Sequence, residues 1–298
     1  MKVLNTNASG ITAVAYFAIL VWLFHGYSFG AGNHGAEIPP ILAIKDPNIF
    51  PRDFAVQSFL EPGPRFFFYN MIAISSKVAG VGVDLLYLVI KIATHLSFFG
   101  ALLSISNQVI KNVSPEPAER NKLTIILFGS LTIFSSINLY SWGIEIFSTS
   151  LIPSTVAMSV CIWSIPLAMR HKWIEAFALC GVAIFFQALV GFFAGLTLLP
   201  ALIVLSIKKK EVWRPTLCSI LLLLPMALIF AITNATNNSP LPNEFSFLKV
   251  FGEFRVPHHW LPSTGGWKKW LSDVLFLIAG GLALRVLYSS LATFIRRV

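Results

Sequence analysis

The chain has 298 residues, 56% hydrophobic and only 12% charged, with a net charge of +9 and a mean hydropathy of +0.74. A soluble domain carries roughly a quarter charged residues, so these side chains cannot cover a globule of this size with polar groups, and lipid must solvate most of its surface. The basic excess does not point to nucleic acid: Lys208 to Lys210 and Arg296–Arg297 sit at the edges of apolar runs, where such charges set membrane topology and attract anionic lipid.

The first apolar run, 11–30, reads as a retained transmembrane helix. Gly30-Ala31-Gly32 looks like a small-residue cleavage site, but Phe17, Trp22, Leu23, Phe24 and His25 make the run longer and more aromatic than a signal-peptide core. A long polar segment follows, about 31–82, with Pro39, Pro40, Pro47, Pro51, Pro62 and Pro64 expected to chop it into turns and short pieces. Phe66 to Lys77 (F-F-F-Y-N-M-I-A-I-S-S-K) reads as a short helix along the membrane interface, ended by Gly80 and Gly82.

Seven further runs have lengths near those that span a bilayer core: 83–107, 122–140, 149–168, 173–188, 189–207, 215–234 and 273–294. The run 173–188 is short, and 173–207 reads as a tight hairpin turning near Gln187 and Gly191. A second polar segment covers about 235–272. The expectation is an all-α polytopic bundle of about eight transmembrane helices, one domain over 1–298. Cys161, Cys180 and Cys218 lie inside apolar runs at spacings that fit no metal motif and read as small hydrophobes.

Basic residues in the loops orient the bundle. With Lys2 inside, Lys111, Arg120, Arg170, Lys172, the run Lys208 to Arg214, and Arg296–Arg297 all fall on the cytoplasmic side. This predicts a multi-pass membrane protein with both ends of the chain cytoplasmic. The segments 31–82 and 235–272 then lie outside, and they hold six of the 13 acids: Glu37, Asp46, Asp53, Glu61, Glu244 and Glu253.

Two constellations in those segments can carry chemistry. In Lys45-Asp46-Pro47-Asn48-Ile49-Phe50-Pro51-Arg52-Asp53, two carboxylates share a proline-stiffened loop. A carboxylate there can act as general base for an acceptor hydroxyl, or as ligand to a divalent cation beside a phosphate. The plainer reading is that Asp46 and Asp53 cap short helices. In Phe254-Arg255-Val256-Pro257-His258-His259-Trp260, Arg255 suits bidentate phosphate binding and the histidines can donate to phosphate oxygens or hold a metal. Trp260 and Trp267 suit the interface, with Lys268 and Lys269 drawing anionic headgroups; a solvated loop with an aromatic anchor is the plainer reading. His34, Glu145, Ser154 and Gln187 are scattered polar candidates, and Lys91, His95 and Arg285 are the main ionisable groups near the midplane. Serine-protease triads, Walker loops, dinucleotide fingerprints and HExxH sites are absent.

The order of these features resembles the polytopic glycosyltransferases of the GT-C superfamily. The match is carried by the first helix, D-P-N-I-F-P-R-D at Asp46 to Asp53, the Phe66 to Val83 stretch and the aromatic-rich span after it. The R-x-P-H-H pattern of Arg255, Pro257, His258 and His259, I-P-S-T-V-A at Ile152 to Ala157 and Q-A-L-V-G at Gln187 to Gly191 resemble landmarks of an uncharacterised bacterial GT-C-like group. The strict paired-acid motif of some GT-C families is missing, and Gln187 stands where a His before L-x-G is expected. The resemblance implies transfer of a sugar from a polyprenyl-phosphate carrier to an acceptor on the non-cytoplasmic face. Asp53 or Asp46 would be the catalytic carboxylate, and Arg255, His258 and His259 would hold the lipid-linked phosphate. Two alternatives belong to other classes. A lipid or anion transporter would pair Lys91, His95 or Arg285 in a central cavity. A non-catalytic partner in envelope polysaccharide assembly would turn Asp46 and Asp53 away from His258.

Overall fold

A computed structural model describes residues 6–60, 63, 65–113, 116–136, 147–211, 213–236, 274 and 278. The chain divides into two compact units, Met1–Ser136 with Glu145–Asn238, and Ile137–Ile144 with Ser239–Val298. Of the second unit only Val274 and Ile278 are described, both helical. Apart from those two residues, the expected span 273–294 lies outside the described residues, as do the candidates Arg255, His258, His259, Lys268, Arg285 and Glu145.

Among the described residues every regular element of the first unit is a helix: α1 (Thr6–His25), α2 (His34–Lys45), α3 (Phe54–Leu60), α4 (Phe66–Ala79), α5 (Val83–Val113), α6 (Pro117–Ser136), α7 (Pro153–Cys161), α8 (Ser164–Met169), α9 (Trp173–Phe186), α10 (Ala188–Lys209) and α11 (Trp213–Thr236). Among the described residues three stretches are long and apolar enough to cross a membrane: Val83–Lys111, Ala188–Ile207 and Trp213–Ile232. Four shorter apolar helices accompany them: Gly10–His25, Phe66–Ala79, Pro153–Met169 and Trp173–Phe186.

The bundle is organised around two helices. Helix α5 packs against α1, α6, α7 and α8, and α9 packs against α7, α8, α10 and α11. Aromatic rings fill the first neighbourhood, where Phe99 stacks on Phe147 at 5.6 Å and Phe17 meets Phe128 edge-on at 5.1 Å. Smaller side chains fill the second, around Phe177, Cys180, Ile184, Cys218 and Leu222. All three cysteines are buried and free. Between apolar helices in lipid, close backbone approach replaces hydrophobic drive as the source of packing energy. Gly191 shows this: a Cβ there would stand 2.5 Å from the Cys180 carbonyl oxygen and 2.6 Å from the Ile184 nitrogen. The hairpin expected at Gln187 is thus present, with α9 and α10 joined through this one extended residue (φ −151°, ψ 106°).

The 31–82 segment departs from expectation at two of its prolines, while Pro47 and Pro51 lie in the turn between α2 and α3 as expected. Pro39 and Pro40 do not break the chain into turns but lie inside α2. Each removes one backbone donor and crowds the carbonyl four residues back, here on the small residues Gly35 and Ala36. Burial of Pro40 and Ile41 where α2 packs on α4 offsets that loss. Helix α4 forms where the aromatic-rich run predicts it. Its Phe68, Tyr69, Ile72, Ala73 and Ser76 face inward, while Ile74 and Val78 are exposed on the opposite side. Gly80 ends it in the left-handed conformation (φ 65°), with the Val81 nitrogen donating to the Ser76 carbonyl, a stop that favours glycine.

Candidate functional site

The lead-in to α7 and the start of the 31–82 segment meet at one end of α5. The Ser28 nitrogen donates to the Thr149 carbonyl at 3.0 Å. Lys91, on α5 and 1% exposed, donates to the carbonyls of Ser148 (2.5 Å) and Thr149 (2.6 Å). Its ammonium also faces the rings of Trp22 at 5.8 Å and Tyr27 at 5.3 Å. Lys91 therefore does not snorkel. Its charge is spent on carbonyl oxygens and aromatic faces, tying α1, α5 and the 148–149 backbone together.

Two residues one helical turn apart on α2 face this junction. The His34 ring nitrogen Nδ1 accepts from the Gly30 backbone at 3.0 Å, and Nε2 donates to the Leu151 carbonyl at 2.7 Å. That pattern assigns a neutral imidazole with its proton on Nε2. Burial pushes its pKa below the ordinary value, and nearby Lys91 does the same, against the Leu151 bond. Glu37, fully buried, receives the Arg65 guanidinium on Oε1 at 2.8 Å, while Oε2 has no partner among the described residues. Burial outweighs the arginine and raises the Glu37 carboxyl to about 7. Tyr69 bonds the same arginine, and Tyr87, edge-on to His34 at 4.9 Å, is buried with its hydroxyl unpartnered among the described residues.

The cluster of His34, Glu37, Arg65, Tyr69 and Tyr87 thus sets a buried carboxyl beside a fixed cation and a neutral imidazole. A carboxyl poised near neutrality beside a fixed cation is a recurrent property of functional sites. Glu37 carries no motif, but its three-residue spacing from His34 was a usable signal, since it puts both on one helix face.

The expected carboxylates lie on the exposed turn between α2 and α3. Asp46 Oδ1 accepts from the backbone (2.9 Å) and side-chain (3.0 Å) nitrogens of Asn48, a local turn that stops α2. Asp53 Oδ1 accepts from the Val56 nitrogen at 3.0 Å, making it the N-cap of α3. Each therefore has a structural task. Both remain at the surface, where an incoming hydroxyl can reach a carboxylate. Among the described residues no three His, Cys, Asp or Glu side chains come together as a metal site.

An apolar groove of about 500 Å³ runs between α1 and α5, lined by Ala18, Ile19, Trp22, Leu23, Ile92 and Leu96 among others. Trp22, part of this lining, is also the ring that Lys91 faces. Such a groove is long and greasy enough to take a hydrocarbon chain beside the polar cluster. Comparison of the chain with known protein families, curated proteins and solved structures gives no match.

Proposed function

We propose that the chain is a GT-C-like membrane glycosyltransferase of about eight spans. It moves a sugar from a polyprenyl-phosphate carrier to an acceptor on the non-cytoplasmic face, and sits multi-pass in the bacterial inner membrane with both chain ends cytoplasmic. One observation supports this reading above others: the 31–82 segment is a folded run of helices, with surface carboxylates and a buried polar cluster, packed through α4 on α5, the helix that also lines the apolar groove. The run of helices suits an acceptor and a proton, and the groove suits the carrier's hydrocarbon chain.

In the step proposed, the acceptor hydroxyl oxygen attacks the anomeric carbon as Asp53 or Asp46 takes its proton. The bond from that carbon to the carrier phosphate breaks, and its electron pair leaves with the phosphate. Arg255, His258, His259 and Lys268 are proposed to stabilise the departing phosphate.

The short helix α9 fits a polytopic arrangement. Its 14 residues rise about 21 Å, less than the roughly 30 Å of a bilayer core. Near its end Phe185 meets Phe67 of α4, ring centroids 5.1 Å apart, so α4 covers the hairpin where α9 stops short. A transporter would instead pair Lys91, His95 or Arg285 in a central cavity, and of these the Lys91 ammonium is already bound to two carbonyls.

The test is transfer of labelled sugar from a polyprenyl-phosphate donor in proteoliposomes, with Asp53→Asn and Asp46→Asn singly and together. Asn caps a helix as well as Asp does, so a loss of transfer reports chemistry rather than a lost cap. An unchanged rate in the double variant would overturn the catalytic assignment.

A further inference from the structure

A second cavity lies toward the other end of the bundle. It occupies about 360 Å³ between α5, α7, α8 and α9. Ser104, on its rim, is thirteen residues beyond Lys91 on α5, or about 20 Å along the helix axis. The site is thus separate from the His34–Glu37 cluster.

A break in the helical path makes this cavity. Helix α7 ends at Cys161 and α8 begins at Ser164, and Pro166 cannot donate back to Ile162 across the gap. At the gap the Trp163 ring lies against Gly100 of α5, where a Cβ would come within 3.2 Å of it. Trp163 Nε1 donates to Ser97 Oγ at 3.0 Å, and Ser97 Oγ to the Ser159 carbonyl at 3.3 Å. The polar groups at this inner end are therefore satisfied among themselves, and the walls around them, including Val160 and Leu167, are apolar. This end offers nothing to a polar ligand.

The rim has the opposite character. Arg170 is exposed, and its Nη2 donates to Ser104 Oγ at 3.2 Å. Among the described residues it faces no carboxylate, whereas neighbouring Lys172 is set against Glu175 at 3.9 Å. A guanidinium has five N–H donors in a planar fork suited to phosphate, so most of its binding capacity is unspent. From Ser104 to Ser97 the cavity runs seven residues along α5, about 10 Å.

We propose that this cavity binds an anionic phospholipid, with Arg170 and Ser104 holding the phosphate and the slot toward Trp163 taking part of an acyl chain. A cationic rim on an apolar slot complements a molecule with an anionic head and a hydrocarbon body, and the lipid around the bundle supplies such molecules. The inference rests on the chain's being embedded in lipid and is independent of the sugar-transfer reading.

The experiment reconstitutes the full chain in phosphatidylcholine vesicles doped with either brominated-chain phosphatidylglycerol or brominated-chain phosphatidylcholine, and reads quenching of tryptophan fluorescence. The glycerol lipid should quench the wild type more strongly than the choline lipid. That excess should fall several-fold in Arg170→Gln, which alters an exposed side chain, and should disappear in Trp163→Phe. Native mass spectrometry of the wild type and Arg170→Gln should show the same order of retained phosphatidylglycerol. Equal quenching by the two lipids in the wild type would overturn the proposal. So would an unchanged excess in Arg170→Gln, or an excess that survives in Trp163→Phe. Loss of the excess on adding millimolar inorganic phosphate at constant ionic strength would assign the rim to a free anion and overturn the lipid assignment.

Discussion

Replacing Glu37 by glutamine should abolish a pH dependence of stability that the wild type carries. The carboxyl titrates at about 7 in the fold against an ordinary value of 4.5, because burial outweighs the Arg65 charge. A raised pKa means that the folded state holds the proton more tightly than the unfolded state does. The stabilising contribution is thus fully present below pH 4.5 and is lost as pH rises to about 7. Across that window it declines by about 1.4 kcal/mol per pH unit, ~3 kcal/mol in all. Glutamine keeps an acceptor for Arg65 and cannot ionise. The two proteins should therefore unfold alike near pH 4.5, and Glu37→Gln should be the more stable by ~3 kcal/mol above pH 7. His34 works in the opposite sense, since its lowered pKa favours the fold as pH rises toward its ordinary 6.5. The difference between wild type and variant cancels that term and isolates Glu37. Tyr69, which also faces the pair, has its pKa raised further by burial and stays neutral in this range. Arg65→Gln should move the Glu37 transition upward, because the cation that holds it down is gone. Thermal or denaturant unfolding in detergent between pH 4.5 and 8.5 measures all three proteins. Parallel curves for wild type and Glu37→Gln would refute the reasoning.

Gly191→Ala should destabilise the α9–α10 hairpin, since its Cβ would fall 2.5 Å from a backbone oxygen; overpacking of this kind costs about 1–3 kcal/mol, read as a lowered Tm. Lys91→Met removes two bonds from the 148–149 carbonyls, so amide exchange should rise across 147–152 and remain unchanged in α10. Asp53→Ala should lower stability by about 1 kcal/mol through the lost α3 cap, while Asp53→Asn should not. Equal Tm values for the two variants would show that the cap contributes nothing.

Much of the local structure was legible from side-chain type. The Gly80 stop, the start of α7 at Pro153 and the hairpin at Gln187 are decided within a few residues, by glycine's left-handed freedom, proline's missing donor and the return of one apolar run upon another. The acids were legible only as acids. Asp46 and Asp53 stand where the resemblance drew attention, yet their oxygens serve a local turn and a cap, and it was Glu37, another acid of the same segment, that the fold buried. Pro39 and Pro40 misled in the other direction, because burial against α4 outweighs their poor helix propensity.

By itself the sequence determined that the chain is helical and carries long apolar helices, since unbroken apolar runs and their punctuation are local properties. Only the tertiary structure decided which faces turn inward. In a water-soluble helix, polar and apolar residues alternate with the turn and mark the buried side. Where lipid and core are both apolar that mark is faint, so nothing local told that Lys91 would be enclosed, that Arg65 would reach Glu37 across 28 residues, or that His34 would find Leu151 across 117.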